Sequence, residues 1–372
     1  MSAARARLAR ARLIPGRAAP GPEAPFHALD DPQVHEVPEL TLESGQRLAP
    51  VRQVYRLHGT LNAARDNLAL VFHALTGSPD AAGEGGWWRG VVGPGLALDT
   101  TRYAVLVPNL LGSCYGTTGP ASPGAPDPFP AVTPRDMARL AGALVDALGV
   151  GRVALVTGGS LGGMVAQEWA LLHPGRARAA VVLAAPAAHT ALGVGWNHVQ
   201  REAVRLGARA GDVAAGLALA RMIGMLSFRT EAELEARFGR DPAPNDEGSG
   251  GATFAVQRYL VHHGDKLVRR FDARSYLALL DAMDAHDLGR TRGGLRAALR
   301  ALGGAVDHLV AVGVPGDLLY GADVVRAWAD GAGAAYRELH SAHGHDAFLL
   351  ETEQVGRVVA EALAGGQGIA HG

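Results

Sequence analysis

The sequence has little cysteine, no excess of charge of either sign and no long hydrophobic run. Its 372 residues contain one cysteine, Cys114, which excludes an intramolecular disulfide and is compatible with a reducing cytosol. The 35 basic and 36 acidic residues leave a net charge of −1, which gives no electrostatic basis for binding nucleic acid or a membrane surface. No apolar stretch is long enough to span a bilayer. We therefore expect a cytoplasmic protein.

The N-terminal segment is set apart by its composition. Residues 1–25 are rich in Arg, Pro and Gly and contain a single acid, Glu23. They lack the apolar core of a secretory signal. The Arg-rich bias is compatible with a transit peptide, but the Pro and Gly content favours a disordered extension, which we predict over residues 1–37. The rest of the chain is long enough for two domains, or for one α/β domain with an insertion.

Short apolar runs alternate with helical patterns between residues 38 and 186. Four of these runs are typical of buried strands, at residues 67–72, 103–107, 153–156 and 179–183. An amphipathic helix is predicted over residues 136–148, with Gly149 as its C-cap. This alternation predicts a mostly parallel, doubly wound α/β sheet.

A helical block interrupts this pattern. From residue 187 to residue 304 the sequence is rich in Ala, Leu and Arg and has no strand signal, and a loop composition occurs near residues 241–251. Strand character returns at residues 307–312, and a last helix is predicted over residues 353–363. We predict a helical lid over residues 187–304, inserted into a core formed by residues 38–186 and 305–366.

A glycine-flanked serine follows the third predicted strand. Ser160 lies in Gly158-Gly159-Ser160-Leu161-Gly162, between the apolar run and a helical pattern. Chance alone would supply about 0.2 such motifs in a chain this rich in glycine, so an idle serine in a glycine turn is the alternative. A strand that ends in G-x-S-x-G and opens a helix is the nucleophile elbow of α/β-hydrolases. We therefore predict Ser160 as a nucleophile.

The groups that a nucleophilic serine needs follow in the required order. A histidine must take the serine proton and a carboxylate must orient that histidine, in the chain order Ser, Asp, His. Asp317 comes just after the predicted strand at residues 307–312, and His345 precedes an apolar helix. A metal site formed by His340, His343 and His345 is the alternative. Because their spacing matches no familiar zinc signature, we predict no metal.

Two backbone N–H groups are needed to stabilise the negative charge that develops on the substrate oxygen. In this type of site one belongs to the residue after the nucleophile and the other to a loop after an early strand. These positions are Leu161 and Leu75.

Beyond these residues, the chain resembles the homoserine O-acetyltransferase family, acyltransferases of methionine biosynthesis with the α/β-hydrolase fold. The resemblance runs from about residue 57 to residue 363. It is carried by segments at residues 73–77, 87–88, 93–95, 109–120, 129–137, 159–164, 197–199, 220–226, 270–273 and 344–349.

The resemblance implies a fold, an activity and a set of site residues. It implies an α/β-hydrolase fold with an inserted helical lid, and transfer of acetyl from acetyl-CoA to the hydroxyl of L-homoserine. Ser160, Asp317 and His345 would form the triad. Arg221 and Asp346 would contact the acceptor, and a cation with an anion suits a zwitterionic amino acid. Acetyl-CoA would be a co-substrate with no permanently bound cofactor, and the protein would be a homodimer joined through the lid.

Several alternatives remain open at this stage. Gly112-Ser113-Cys114 stands where the family more usually has Gly-Gly-Cys, so succinyl-CoA and L-serine are alternative substrates. An esterase would use the same triad with water as the acceptor. A binding protein without catalytic activity is a third class, but such proteins usually lack a triad residue, and none is missing here.

Overall fold

The computed structural model describes residues 32–243 and 253–365. The strands within these ranges are β1 (Gln33–Val37), β2 (Leu40–Thr41), β3 (Arg47–Leu48), β4 (Val51–His58), β5 (Leu68–Phe72), β6 (Ala104–Pro108), β7 (Val153–Gly159), β8 (Ala177–Leu183), β9 (Val306–Gly313) and β10 (Ala335–Glu338). The helices are α1 (Pro134–Ala147), α2 (Leu161–Leu172), α3 (Ala191–Arg209), α4 (Val213–Phe228), α5 (Glu231–Phe238), α6 (Ala255–Val268), α7 (Ala273–Asp284), α8 (Leu295–Gly303), α9 (Ala322–Ala332), α10 (Ala347–Leu350) and α11 (Thr352–Leu363).

Eight of these strands form one sheet, in the order β1-β4-β6-β5-β7-β8-β9-β10. Strand β4 is antiparallel to both of its neighbours, β1 and β6. All the other pairs in this sheet are parallel, so that Leu70 of β5 lies opposite Leu106 on one side and Val156 on the other. The predicted, mostly parallel sheet is therefore confirmed.

Strand β5 shows why the predicted strands are continuous apolar runs. All five of its side chains are buried. Leu70 and Phe72 face a hydrophobic layer that includes α1 and α2, whereas Val71 faces a second layer that includes Trp88 and Val359. A parallel strand covered on both faces needs apolar side chains at successive positions, which is the pattern seen in the sequence.

The first strand lies inside the predicted N-terminal extension. Strand β1 pairs along its whole length with β4, with Val34 opposite Val54. The expectation of disorder is therefore wrong for residues 33–37, and residues 1–31 lie outside the described residues. The side chains of this edge strand are largely exposed or half-buried, so backbone pairing holds it and no apolar run marks it in the sequence.

The lid helices are α3 to α7. Helix α4 packs against α3, α6 and α7, and α3 also packs against α7. Helix α8 contacts α2, α9 and β9 instead, so we place it with the helices that cover the sheet, although it falls within the predicted lid range. Most of the predicted loop near residues 241–251 lies outside the described residues.

No single helix of the described chain combines the length and apolar character needed to cross a bilayer. Helices α4 and α5 meet that condition only as a pair, and the chain bends by 105° between them.

A buried ion-pair network lies beside α2. The Glu168 carboxylate is 3.0 Å from Arg135 Nε and 2.6 Å from Arg292 Nη2. Arg135 also contacts Glu43, in the segment between β2 and β3, at 2.6 Å. Burial alone would raise the pKa of Glu168, but the hydrogen bonds and charges of the two arginines lower it. The network therefore holds a charged side chain of α2, the helix that follows Ser160.

Helix α2 approaches β5 and β7 so closely that two positions have no room for a side chain. A Cβ atom on Gly162 would lie 2.3 Å from the Phe72 carbonyl oxygen, and one on Gly158 would lie 2.5 Å from the Gly162 carbonyl. Both neighbours are backbone atoms, which cannot rotate away. Glycine at these positions allows the first turn of α2 to start directly beside the sheet.

This close approach can be tested by introducing a single methyl group. We expect Gly162→Ala to lower the free energy of unfolding by about 3 kcal/mol, because the backbone must shift to admit the added carbon. A matched control is Gly195→Ala on α3, where a Cβ would meet nothing within 4 Å. It should raise stability by about 0.5–1 kcal/mol through helix propensity. Urea unfolding measures both, and equal effects would contradict the close approach.

Candidate active site

The loops after β5, β7, β9 and β10 meet at one edge of the sheet. These four strands run parallel in one sheet, in which β8 lies between β7 and β9, so their carboxyl ends share that edge. The four loops carry Leu75, Ser160, Asp317 and His345 respectively. The carboxyl edge of an open α/β sheet is where such proteins bind their ligands.

Ser160 occupies the turn between β7 and α2 in a strained backbone conformation. Its φ is 55° and its ψ is −125°, a region that residues other than glycine rarely adopt. Its N–H donates to the carbonyl of Leu183 at 3.0 Å, and its own carbonyl accepts from Met164 at 3.0 Å. The side chain is buried but lines a cavity. This is the geometry expected of a nucleophile elbow.

Asp317 and His345 form a buried hydrogen-bonded pair. His345 Nδ1 lies 2.7 Å from Asp317 Oδ2. The other carboxylate oxygen accepts from the backbone N–H groups of Leu319, at 2.7 Å, and Tyr320, at 3.0 Å. The carboxylate is therefore fixed by the turn that carries it, and Nδ1 carries a proton toward it.

The second ring nitrogen of His345 is free to act. Nε2 is buried and has no hydrogen-bond partner among residues 32–243 and 253–365. Burial alone would lower the pKa of His345, but the charge and hydrogen bond of Asp317 raise it above its ordinary value of 6.5. The structure thus brings His345 and Ser160 to the same cavity, with the ring oriented by Asp317.

The two predicted oxyanion donors lie on α2 and on the loop after β5. Leu161 is the first residue of α2, and Leu75 lines the cavity in the loop after β5. Neither N–H donates to a backbone carbonyl of the described chain. His73 fixes the start of the Leu75 loop, since its Nδ1 lies 2.9 Å from the Ala74 carbonyl oxygen. Two N–H groups without a backbone partner near a buried serine are able to stabilise an oxyanion.

The cavity has a volume of about 390 Å³ and is lined by residues from two parts of the chain. The core supplies Ser160, His345 and the loop of residues 74–78. The lid supplies polar and charged side chains as well as apolar ones, namely Asn197, Gln200, Arg221, Phe228, Lys266, Arg270 and Met283. The reactive groups therefore come from the core, and most of the cations come from the lid.

Arg221 and Asp346, which the resemblance implied as acceptor contacts, both line the cavity. Arg221 makes no ion pair with any acid of the described chain, and its guanidinium lies 5.5 Å from the centre of the Phe228 ring. Burial lowers the pKa of Arg221, and the charge of Asp346 opposes that effect. The ion pair of Asp346 is with Arg229, at 3.0 Å. No local pattern in the sequence marks Arg229.

Several polar contacts between lid and core reach the loops of the site, and we call three of them the lid joints. His189 Nε2 lies 2.9 Å from the Tyr320 hydroxyl. Arg229 pairs with Asp346. Arg270 Nη1 donates to the Thr76 carbonyl at 2.6 Å. Of the three lid residues in these joints, only Arg270 stands in a segment that the sequence singled out, and no contact with Thr76 was predicted for it.

The other two histidines of the alternative metal cluster make hydrogen bonds with different residues. His343 Nδ1 lies 3.0 Å from Glu233 Oε1, and the backbone N–H of His340 donates to Gln354. Within residues 32–243 and 253–365, no group of three or more His, Cys, Asp or Glu side chains is placed to hold a metal ion.

Comparison with known proteins decides the family. A family model of the alpha/beta hydrolase fold matches residues 69–290. The homoserine O-acetyltransferase of Thermobifida fusca is 43% identical over 350 residues, which cover 87% of this chain and 91% of that protein. The chain belongs to the homoserine O-acetyltransferase family. The predicted resemblance and the predicted enzyme class, an acyltransferase, are therefore confirmed.

Solved structures agree with this family at the level of the fold. The crystal structure of homoserine O-acetyltransferase from Bacillus anthracis matches with a TM-score of 0.79 at 24% identity, over 90% of this chain and 97% of that one. Esterase E22 matches with a TM-score of 0.78 at 22% identity, over 90% and 99%. At these identities the likeness shows the α/β-hydrolase fold, which is confirmed, and does not separate homoserine O-acetyltransferases from esterases.

The effect of Asp317 on His345 can be measured by NMR titration. We expect the His345 imidazole to titrate above 6.5 and Asp317→Asn to move its pKa below 6.5, because burial then acts without the opposing carboxylate. The signal is assigned by its loss in His345→Gln. His286, which burial holds at a pKa of about 4, is the internal control and should not move. An unchanged His345 titration in Asp317→Asn would contradict the pairing.

Proposed function

We propose that this chain transfers an acetyl group from acetyl-CoA to the side-chain hydroxyl of L-homoserine, a step of methionine biosynthesis, in the cytoplasm and without a resident cofactor. The observation that carries the proposal is the composition of the cavity. It combines Ser160 and the His345–Asp317 pair with two groups suited to a zwitterionic acceptor. These are Arg221, which has no ion pair within the described chain, and the Asp346 carboxylate. The 43% identity to a homoserine O-acetyltransferase supports this acceptor.

The first half of the reaction acylates the enzyme. Ser160 Oγ attacks the thioester carbonyl while His345 Nε2 takes the hydroxyl proton, and the N–H groups of Leu75 and Leu161 stabilise the oxyanion. The intermediate then collapses with cleavage of the C–S bond. The CoA sulfur takes the proton from His345 and leaves, and the acetyl group remains on Ser160.

The second half passes the acetyl group to the acceptor. Arg221 binds the carboxylate of homoserine, and Asp346 binds its ammonium group. His345 takes the proton of the homoserine hydroxyl, whose oxygen attacks the acetyl carbonyl. When the ester bond to Ser160 breaks, His345 returns that proton to Oγ. The enzyme is then ready for the next acetyl-CoA.

The lid gives this reaction an advantage over hydrolysis. An acyl-enzyme is lost if water reaches it, so a transferase must favour its acceptor over water. The cavity of this chain is roofed by the lid helices, and Arg221 and Asp346 favour a charged acceptor over a neutral one. Ester hydrolysis by the same groups is the competing outcome, and succinyl-CoA and L-serine are competing substrates.

A two-by-two assay of acetyl-CoA and succinyl-CoA against homoserine and serine tests the proposal. We expect release of CoA with the acetyl donor to depend on homoserine, and Ser160→Ala to lower that rate at least about 10³-fold because the nucleophile is lost. The control is Ser44→Ala, at an exposed turn. CoA release that needs no amino acid would favour a hydrolase, and an active Ser160→Ala would exclude the covalent mechanism.

The lid also carries an exposed apolar stripe, which supports the proposal of a homodimer. Leu192, Val199 and Leu206 of α3 are 58%, 50% and 57% exposed and lie seven residues apart, on one face of the helix. Leu219 and Leu226 of α4 repeat this spacing and are also exposed. An apolar stripe of this length on the surface marks an interaction site. We propose that the stripes of two copies pack against each other.

Charge placed on the stripe should separate the two copies. We expect Val199→Glu combined with Leu206→Glu to shift the molar mass in solution from dimer to monomer, because four acidic groups would then face one another across the interface. Val324→Glu, an exposed apolar position on α9, is the matched control and should stay dimeric. Light scattering after size-exclusion chromatography measures both. A wild-type monomer would exclude the proposal.

A further inference from the structure

We propose that Arg229 is a positioning residue, which holds the Asp346 carboxylate in the place where it binds the ammonium group of the amino-acid acceptor. This inference rests on the proposed function, since it needs an acceptor that carries an ammonium group. It assigns a role to a side chain that does not line the cavity itself.

Arg229 stands at the corner between α4 and α5. Its backbone is extended, with φ −115° and ψ 148°, and ends α4 after Phe228. Helix α5 then starts with Thr230 as its N-cap, whose hydroxyl accepts from the N–H of Glu233 at 3.0 Å. This cap fixes Glu233 relative to Arg229, four residues earlier. We call Phe228–Thr230 the lid corner.

The Arg229 guanidinium is shared by two carboxylates. Its Nη1 lies 3.1 and 3.2 Å from the two oxygens of Glu233, and its Nη2 lies 3.0 Å from Asp346 Oδ2. The three side chains are only 10–15% exposed, so water screens these charges weakly. Burial alone would lower the pKa of Arg229, but Asp346 and its other neighbours raise it. Glu233 anchors the arginine, and the arginine anchors Asp346.

The backbone of the same region is held independently of Arg229. The Thr230 hydroxyl donates to the carbonyl of Ala342. Gly344 has a φ of +63°. A Cβ atom added at this position would lie 3.1 Å from Thr230 Cγ2, so the loop and the lid corner are in close contact. The loop that carries His345 is therefore docked by contacts that remain when the Arg229 side chain is changed. The side chain itself acts on the position of the Asp346 carboxylate.

Without Arg229, a second cation, Arg221, is available to pair with the Asp346 carboxylate. Arg221 lines the same cavity, has no ion pair within the described chain, and feels the charge of Asp346. If Asp346 turned to Arg221, its carboxylate would leave the place where it binds the ammonium group, whereas the Arg221 guanidinium would keep further N–H groups for the acceptor carboxylate. Arg229 keeps them apart by engaging Asp346 from outside the cavity. The consequence is specific to acceptors with an ammonium group and leaves acylation of Ser160 untouched.

Arg229→Gln tests this inference with two acceptors, L-homoserine and 4-hydroxybutyrate, which has the carboxylate and hydroxyl but no ammonium group. The wild type should prefer homoserine. In Arg229→Gln the KM for homoserine should rise about tenfold, which is the effect of losing one charged hydrogen bond. The KM for 4-hydroxybutyrate should change little, so the preference for homoserine over 4-hydroxybutyrate should narrow. Arg229→Lys should restore part of the preference, since it keeps the charge but not the shared fork.

Two controls separate positioning from loss of structure. The burst of p-nitrophenol from p-nitrophenyl acetate reports acylation of Ser160 and should stay within about twofold of the wild type in Arg229→Gln, since each tenfold loss would need 1.4 kcal/mol at the transition state. Arg205→Gln, which removes an exposed ion pair of α3 with Glu202, should change neither the burst nor the acceptor preference.

Each outcome decides the matter. A burst that falls in parallel with transfer to both acceptors, or an unchanged preference between them, would overturn the positioning role of Arg229 while leaving the proposed function standing. A wild type that transfers acetyl to neither acceptor would overturn the proposed function and, with it, this inference. A narrower preference for homoserine, together with a p-nitrophenol burst like that of the wild type, supports the positioning role of Arg229.

Discussion

The site depends on the close approach of α2 to the sheet. Because Gly158 and Gly162 have no side chains, the helix begins within contact distance of the Phe72 carbonyl, and Ser160 is left at the tip of a strained turn. The start of α2 then places the N–H of Leu161 beside the serine. Arg135 and Arg292 form ion pairs with Glu168 on the same helix. This network fixes α2 and thereby stabilises the strained turn.

The cavity divides its tasks between two parts of the chain. The core contributes Ser160, the His345–Asp317 pair and the Leu75 loop, all at the carboxyl edge of the sheet. The lid contributes Arg221 and other polar side chains of the roof. The groups suited to bond making therefore lie at the edge of the sheet, whereas the two proposed acceptor contacts are divided between the lid, which carries Arg221, and the core, which carries Asp346.

The sequence predicted those features that depend on local patterns. The strands buried on both faces, the helix that starts after Thr133 and the turn at Ser160 each leave a continuous mark over a few residues. Edge strand β1 was missed because it is held by backbone pairing. Arg229 was missed because its partner Asp346 lies 117 residues further on, and a pairing across that distance leaves no local pattern. The position of Asp317 and His345 could be inferred only because chain order is fixed by the fold.

The three lid joints have a consequence for how molecules enter the cavity. Each joint ends on a different loop of the site, at Thr76, Tyr320 or Asp346. A lid that swung away as a rigid flap would break all three contacts and disturb the three loops together. Opening the lid in this way therefore carries a free-energy cost that entry with the three contacts intact does not carry. A route that left these contacts in place would select molecules by their breadth.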